Sequence, residues 1–310
     1  MKHTRKKITV VGAGFVGSTC AHWAAAKELG DVVLVDVNEG AAKGKALDLF
    51  EASPVEQFDS RITGTSDYKD TAGSDVVIIT AGIPRKPGMS RDDLLATNSK
   101  IMKEVCRGVK EYSPNSVVIV VSNPLDAMAY VAFKELGFPR ERVLGMAGVL
   151  DGARFRSFIA EELNCSVKDV NAFVLGGHGD TMVPIWSSAT VDGFPLLKFP
   201  GVTPTFQTQI FERTQKSGAE VISRKGGAGW AVGVAIREVI DSIALNRCRI
   251  LPVSSQVDGP YGIRGVSISV PTIVGRAGVV GHIELELWPK ELQGLQASAR
   301  ALKETRAKVK

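Results

Sequence analysis

The sequence predicts an α/β protein in which an N-terminal doubly wound parallel sheet is followed by a C-terminal α+β domain. Three observations lead to this fold class. The chain opens with a buried strand, a glycine-rich loop, a helix and a second strand that ends in an acid. Short β-branched runs then alternate with helical segments up to about residue 145, and this alternation weakens past Gly148. We therefore expect one domain at residues 1–145 and a second at residues 146–310.

Composition and charge exclude several classes of protein. The 310 residues carry a net charge of +5, but the basic residues concentrate at the two ends without interleaved aromatics, so we expect no nucleic-acid surface. The four cysteines lie far apart and no histidine stands at metal-ligand spacing, which indicates reduced thiols in a cytoplasmic protein and no metal site. No apolar run approaches the ~20 residues of a membrane span, so we expect no membrane association and no cleaved signal sequence.

The elements of the first domain follow from apolar runs and helix signals. We predict strands at residues 7–11, 32–35, 61–65, 75–80, 117–121 and 142–145, and helices at residues 18–29, 41–51, 92–112 and 125–136. In the helix over 41–51, Leu47 and Phe50 are expected to turn inward. Together these elements predict about six parallel strands.

The glycine-rich segment at residues 12–17, Gly-Ala-Gly-Phe-Val-Gly, predicts a dinucleotide site of the Rossmann type. Gly12 permits the tight turn, Gly14 lets a pyrophosphate approach the helix N-terminus, and Gly17 lets the helix pack close to the sheet. Asp36 ends the next strand, where its carboxylate would bond ribose hydroxyls and repel a 2′-phosphate. This favours NAD over NADP. The alternative is a glycine-rich turn that binds nothing.

Two further segments follow strand ends of this sheet, where ligands of open parallel sheets bind. The loop over 83–91 carries Arg85, Lys86 and Arg91 and could close over an anionic substrate as a lid. The alternative is an ordinary exposed basic loop. Asn123 lies in a Ser-Asn-Pro sequence and offers an amide at the same crevice, unless it serves only to form a turn.

The second domain is predicted to mix antiparallel strands with helices. Strands are expected at residues 169–175, 182–190, 250–254, 266–274 and 279–287, and helices at residues 151–163, 206–223, 229–245 and 289–308. The small-residue segment 225–229 indicates a close approach to either a helix or a ligand.

His178 is the candidate proton-transfer group of the second domain. It lies among glycines and is followed closely by Asp180, so a small ligand could reach its ring, and histidine titrates near neutral pH. Asp151 and Arg154 are three residues apart and share a helix face. The alternatives are a structural histidine and an ordinary exposed salt bridge.

Taken in order, these motifs resemble those of malate dehydrogenases of the lactate-dehydrogenase-like group, over nearly the whole chain. They are Gly-Ala-Gly-Phe-Val-Gly at 12–17, Pro-Arg-Lys-Pro-Gly-Met-Ser-Arg at 84–91, Ser-Asn-Pro at 122–124, Leu-Asp-Gly-Ala-Arg at 150–154 and Gly-Gly-His-Gly-Asp at 176–180. The order and spacing are specific for the lactate/malate dehydrogenase superfamily.

The resemblance implies a role for each site residue. His178 would be the general acid/base and Asp151 would hold its tautomer, while Arg91 would polarise the substrate carbonyl once the loop closes. Arg154 would grip the C1 carboxylate, and Asn123 would bond the substrate and the nicotinamide region. The residues expected at the cofactor are Gly12, Ala13, Gly14, Phe15, Val16, Gly17, Asp36, Thr80, Ala81, Gly82, Asn98, Val121 and Asn123.

The substrate expectation rests mainly on Arg85. The related lactate dehydrogenases carry an uncharged glutamine at the matching position, whereas an arginine matches the second carboxylate of malate or oxaloacetate. Ala228 aligns with a threonine of the lactate pocket and would leave room for a dicarboxylate. The resemblance thus implies NAD-dependent interconversion of (S)-malate and oxaloacetate by a homodimer or homotetramer. The alternatives are a dehydrogenase of lactate or another 2-hydroxy acid, and a non-catalytic NAD-binding sensor.

Overall fold

The computed structural model describes residues 5–84 and 88–309. Within these ranges one mixed sheet of twelve strands runs through the molecule, with the order β3-β2-β1-β4-β5-β6-β10-β11-β7-β8-β9 and β12 paired to β11. The strands of its first half are β1 (Lys7–Val11), β2 (Asp31–Val35), β3 (Ile62–Thr65), β4 (Val76–Ile79), β5 (Val117–Val120) and β6 (Val143–Gly145). All six are parallel, and their order is that of a doubly wound dinucleotide-binding domain, which confirms the predicted fold class.

Helices cover both faces of this parallel part. They are α1 (Phe15–Ala26), α2 (Glu39–Glu51), α3 (Ser53–Glu56), α4 (Arg91–Tyr112) and α5 (Leu125–Leu136). Neighbouring residues of β4 point to opposite faces: Ile78 joins a core with Ala21 of α1, whereas Ile79 joins a core with Met102 of α4. Because both faces are buried, the central strands β4 and β5 are continuous apolar runs rather than alternating ones.

The second half adds antiparallel strands to the same sheet. Its elements are α6 (Gly148–Leu163), β7 (Val170–Gly176), β8 (Met182–Val191), β9 (Phe194–Pro195), α7 (Pro204–Lys225), α8 (Trp230–Ala244), β10 (Arg249–Asp258), β11 (Arg264–Gly275), β12 (Gly278–His282) and α9 (Pro289–Ala307). Short 3-10 turns lie at Tyr68–Thr71, Arg140–Arg142, Leu196–Lys198 and Pro260–Gly262. Strand β10 pairs with β6 through Ser254 opposite Gly145, so the two halves share one sheet.

Helix α8 packs on α1 of the first half. A Cβ added to Gly233 would lie 2.5 Å from the Thr19 side chain, so the two helices touch where α8 has no side chain. Ile236 and Ile240 of α8 join the core that contains Ala21 of α1. The chain therefore returns to the first half and buries one of its helices.

The prediction that Leu47 and Phe50 turn inward is wrong. Their exposed fractions are 57% and 50%, and the inward face of α2 is formed by Ala42 and Ala46. A Cβ on Gly64 of β3 would lie 2.2 Å from the Ala42 carbonyl oxygen. Since the helix backbone approaches the sheet this closely, only small side chains fit beneath α2.

Several element boundaries also differ from the prediction; for example, α1 spans Phe15–Ala26 rather than residues 18–29, and β10 ends at Asp258 rather than at residue 254. Helix α6 begins at Gly148 rather than at Asp151, because the backbone at Gly148 packs directly on β7 and β10, where a Cβ would meet two carbonyl oxygens within 2.8 Å. The last strand ends at His282 instead of residue 287. Beyond it the Leu285 amide donates to the Tyr261 hydroxyl at 2.8 Å, so the backbone leaves the ladder.

In the described ranges, no helix has the length and hydropathy needed to cross a membrane.

Candidate active site

A cleft lies where the carboxyl ends of the parallel strands meet α6, α7 and residues 226–228. Ligands of open α/β sheets bind at this edge. The expected cofactor residues that line the cleft are Gly14, Phe15, Val16, Gly17, Thr80, Gly82, Asn98, Val121 and Asn123. The cleft is also lined by Arg154 and His178. Ala13 and Ala81 adjoin lining residues in the chain without lining the cleft, and Gly12 and Asp36 do not line it either.

The glycine-rich loop leaves room for a ligand at the start of α1. Gly12 adopts a φ of +103°, and a Cβ on Gly17 would lie 1.8 Å from the Gly12 carbonyl oxygen, so side chains are excluded at both positions. A Cβ on Gly14 would meet no atom within 4 Å, and no side chain caps α1. The uncapped amides and this open space fit a pyrophosphate.

Asp36 forms a hydrogen bond with the backbone of the glycine-rich loop. Its carboxylate accepts hydrogen bonds from the Ala13 amide at 2.7 Å and from the Asn38 amide at 2.9 Å, one on each oxygen. Lys45 of α2 donates from Nζ to the Ala13 carbonyl, so a positive charge also adjoins the loop. Sequence analysis missed Lys45, because a lysine on a surface helix gives no signal of which loop it reaches.

His178, Asp151 and Arg154 form a bonded row at the second-half wall of the cleft. Nδ1 of His178 lies 2.7 Å from one carboxylate oxygen of Asp151, and the Arg154 guanidinium donates to the other oxygen at 3.2 Å. The Asp151 side chain is only 2% exposed, against 22% for His178 and 15% for Arg154. The acid is therefore buried behind two partners that reach the cleft, and the imidazole Nε2 remains for a ligand.

The charges around His178 favour its protonated form. Burial by itself would lower the pKa of the ring, but the charge and hydrogen bond of Asp151 and the charge of Asp126 act more strongly, and they raise the pKa above its ordinary value despite the opposing charge of Arg154. A ring whose charged form is favoured in this way can donate a proton to a bound substrate and take it back.

Arg91 does not reach His178 in this structure. It is the first residue of α4, and its guanidinium lies 2.6 Å from the Asp180 carboxylate, with both side chains largely exposed. A second cavity beside His178 is nevertheless lined by Arg91 and Asp180, so the arginine stands at its rim. Arg85, which is expected to bind the second carboxylate of the substrate, lies outside the described residues.

Asn98 and Asn123 lie together at the strand ends. The Asn98 side chain, 2% exposed, accepts from the Ile83 amide at 2.9 Å and donates to the Asn123 carbonyl at 2.6 Å. The amide of Asn98 is thus occupied in tying the start of the 83–91 loop to the backbone of Asn123. The Asn123 side chain lines both cavities beside His178.

The small-residue segment 225–229 approaches Phe15 at the start of α1, which confirms the close approach to a helix, and its approach to a ligand stays a prediction. A Cβ on Gly229 would lie 2.2 Å from the Phe15 ring, and the ammonium of Lys225 stands 4.2 Å from the centre of that ring. Trp230 packs edge-on against Phe15 at 5.2 Å. Ala228 lines the cleft beside this contact.

Asp126 is a buried acid beside the site that sequence analysis did not single out. It lies in the first turn of α5, three residues after Asn123, and is 5% exposed. Its carboxylate accepts from the His178 backbone amide at 2.8 Å and from the Ser254 hydroxyl at 2.6 Å. The sequence offered one signal for Asp126, an acid two residues after the Ser-Asn-Pro sequence. By itself such an acid indicates only a favourable charge at the N-terminus of a helix.

Known proteins resemble this chain over almost all of its length. Residues 6–145 match a model described as lactate/malate dehydrogenase, NAD binding domain, and residues 148–310 match the lactate/malate dehydrogenase alpha/beta C-terminal domain. A malate dehydrogenase of Bacillus subtilis is 52% identical over 98% of each chain.

Solved structures show the same similarity in three dimensions. The malate dehydrogenase of Salinibacter ruber superposes with a TM-score of 0.93 at 46% identity, covering 98% of this chain and 97% of its own. A lactate dehydrogenase of Cryptosporidium parvum, solved with lactic acid and nicotinamide adenine dinucleotide, gives a TM-score of 0.95 at 39% identity, covering 98% of each chain. With both halves of the chain matched in sequence and in fold, this protein belongs to the lactate/malate dehydrogenase family.

Proposed function

We propose that this protein is an NAD-dependent malate dehydrogenase that interconverts (S)-malate and oxaloacetate. The observation that carries the proposal is the bonded row of His178, Asp151 and Arg154, which opens into the same cleft as the glycine-rich loop. One cleft thus contains a proton donor, a cation for a carboxylate and a space for a pyrophosphate.

The cofactor would be held by the first half of the chain. The open space at Gly14 and the uncapped start of α1 fit the pyrophosphate, and Asp36 would bond the ribose. Bound NAD accepts a hydride from the carbon that bears the substrate hydroxyl, and NADH returns it in the reverse direction.

The proton is handled by His178. In reduction of oxaloacetate, Nε2 donates its proton to the carbonyl oxygen, and in oxidation of malate the same nitrogen removes the hydroxyl proton. Asp151 holds Nδ1–H and stabilises the charged ring, while Arg154 binds the C1 carboxylate. For Arg91 to polarise the carbonyl it must leave Asp180, and the exposure of this ion pair makes its cost small.

Three observations favour malate over lactate as the substrate. The curated relatives at about half identity are malate dehydrogenases, for example that of Geobacillus kaustophilus at 53%. Arg85 provides a cation in the sequence segment 83–91, and Ala228 is a small residue in the wall of the cleft. The lactate dehydrogenase similarity lies at lower identity and supports the shared proton chemistry.

The test is the rate of NADH oxidation with oxaloacetate and with pyruvate, measured for the wild type, Arg85→Gln and the neighbouring control Lys86→Gln. We expect the wild type to prefer oxaloacetate. Arg85→Gln should raise the ratio of pyruvate to oxaloacetate activity by at least about 100-fold, since an unmatched charge in a closed site costs several kcal/mol. Lys86→Gln should leave the ratio near that of the wild type.

Other outcomes lead to other assignments. If the wild type prefers pyruvate, the proposed proton transfer by His178 stands, but the assignment of malate and oxaloacetate as substrates is wrong. A wild type that binds NADH and turns over neither keto acid would support the non-catalytic sensor.

We further propose that residues 1–145 form the NAD-binding domain and that residues 146–310 form the substrate-binding and catalytic domain, with Arg85, Arg91 and Asn123 added to the substrate site from the first domain.

We also propose that the protein forms a homodimer or homotetramer in the cytoplasm. Leu47, Phe50 and Val55 lie exposed along α2 and α3, and a second copy would remove them from water. The four cysteines are all unpaired, as is usual in a reducing compartment. Light scattering of the purified protein measures the assembly, and a monomer would refute it.

A further inference from the structure

Asp126 connects His178 to two elements that take no part in the proposed proton transfer. Its backbone belongs to α5 of the first half, and its carboxylate accepts from the hydroxyl of Ser254 on β10 at 2.6 Å. The other oxygen accepts from the backbone amide of His178 at 2.8 Å. Asp126 is 5% exposed and Ser254 is fully buried, so solvent does not compete for these bonds.

Two buried carboxylates therefore act on one histidine in different ways. Asp151 holds the ring through Nδ1, whereas Asp126 holds the main chain from which the ring projects. The histidine lies in the segment after β7, with the left-handed glycines Gly176 and Gly179 on its two sides. A segment rich in glycine has little stiffness of its own, so bonds to buried side chains fix it: the Gly177 amide donates to the Ser298 hydroxyl at 2.8 Å, and the His178 amide donates to Asp126.

The charge of Asp126 also bears on the ring. A neutral amide side chain could also accept from the His178 N–H, and it would avoid the cost of burying a carboxylate. Burial raises the pKa of Asp126, while the hydrogen bonds from Ser254 and His178 and the charge of the ring oppose that rise. In its ionised form the carboxylate stabilises the positive imidazolium, because Coulombic attraction is strong in a poorly hydrated site. The charge of Asp126 acts in the same direction as that of Asp151 to raise the pKa of His178.

We propose that Asp126 is a positioning residue for the proton donor: its carboxylate anchors the backbone of His178 to α5 and β10 and supplies a second buried negative charge beside the ring. The inference rests on the proposed function only in that it takes His178 as the group that moves the proton. The other charged groups facing His178 are Asp151 and Arg154 of α6 and, across the second cavity, Arg91 and Asp92 of α4, Asp180 of its own segment and Lys308.

The experiment replaces Asp126 by Asn, which keeps the size and an acceptor but removes the charge. The His178 ring is titrated by NMR, and its signal is identified among the four histidines by its loss in His178→Asn. We expect Asp126→Asn to lower the pKa of His178 by about one unit. Ser254→Ala keeps the charge and should shift the pKa much less, and Asp258→Asn, an exposed acid of the same strand, should not shift it.

The same variants are assayed for oxaloacetate reduction across pH. The alkaline limb of the pH–rate profile of Asp126→Asn should move to lower pH by the same amount. At pH values above the His178 pKa of both the variant and the wild type, this is about a tenfold loss of rate. NADH affinity should stay near the wild-type value, because Asp126 does not line the cofactor cleft. A purely structural role would instead reduce the rate at every pH without moving the limb.

An unchanged pKa of His178 in Asp126→Asn, or an equal shift in Ser254→Ala, would overturn the proposal. If Asp126→Asn fails to fold, hydrogen exchange of the wild type still tests the bond from the His178 amide to the Asp126 carboxylate. The His178 amide should be strongly protected from exchange, and a freely exchanging amide would refute the proposed role of this bond. The titration needs no turnover, so a failure of the proposed dehydrogenase activity would appear separately, as a wild type that reduces no keto acid.

Discussion

Replacement of Asp151 by Asn should disable the proton donor while leaving the fold and the cofactor site in place. The carboxylate is 2% exposed and accepts one hydrogen bond on each oxygen, from Nδ1 of His178 and from the guanidinium of Arg154. An amide has only one acceptor oxygen, so its NH₂ must face one of these two partners. Either Arg154 then meets a donor, or the ring of His178 must take the other tautomer.

The size of the effect follows from the charges. Two unit charges about 4 Å apart interact by about 4 kcal/mol at an effective dielectric constant of 20. The ring of His178 is partly open to the cleft, so we take about 2 to 4 kcal/mol as the part lost when the imidazolium forms. This corresponds to a reduction in kcat of about 30- to 1,000-fold.

The assay is steady-state reduction of oxaloacetate, with NADH binding measured by fluorescence as the check on folding. Glu161→Gln is the matched control, because Glu161 lies on the same helix and forms an exposed ion pair with Arg213 at 3.0 Å. Such a pair contributes little, so this variant should keep a rate within about twofold of the wild type. If Asp151→Asn retains a kcat within about threefold of the wild type, the assignment of Asp151 as the partner of the catalytic ring is wrong.

The remaining predictions concern pH and the cofactor loop. Reduction of oxaloacetate needs the protonated ring of His178, whose pKa is raised above its ordinary value, so reduction should decline as pH rises through that pKa. Oxidation of malate needs the neutral ring and should decline as pH falls through the same pKa. Initial rates in both directions measure this, and two flat profiles would contradict the proton relay. Gly17→Ala should abolish NADH binding or folding, because its Cβ would lie 1.8 Å from the Gly12 carbonyl oxygen. Gly44→Ala on α2, where a Cβ meets nothing within 4 Å, should bind NADH normally and melt slightly higher, by roughly 1 kcal/mol of stability at most. Isothermal titration and thermal melts distinguish the two, and equal behaviour of both alanine variants would count against the loop geometry.

Local sequence was sufficient to predict the parallel sheet and the conformation of the glycine-rich loop. The runs at Val76–Ile79 and Val117–Val120 are apolar throughout because their strands are buried on both faces, so their burial is visible without any partner. Gly12 and Gly17 could be interpreted for a similar reason: the positive φ and the 1.8 Å approach are demands of one short turn on its own residues.

Other features could not be read in this way, because they depend on distant segments. Leu47 and Phe50 have the composition of buried residues, yet they face solvent because α2 lies too close to β3 for large side chains. Residues 283–287 have the composition of a strand. The Ile283 amide still donates to the Pro271 carbonyl of β11 at 2.9 Å, but the Leu285 amide donates to the Tyr261 hydroxyl instead, so the backbone leaves the ladder there.

By itself the sequence determined the order of strands and helices, the loop that can admit a pyrophosphate and the side chains able to carry a proton or grip a carboxylate. Only the tertiary structure decided that Asp151 lies 2.7 Å from a histidine 27 positions away, and that Asp126 holds the backbone of that histidine from α5. The physical reason is that periodicity and turn chemistry act over a few residues, whereas hydrogen bonds between segments exist only once hydrophobic burial has brought those segments together.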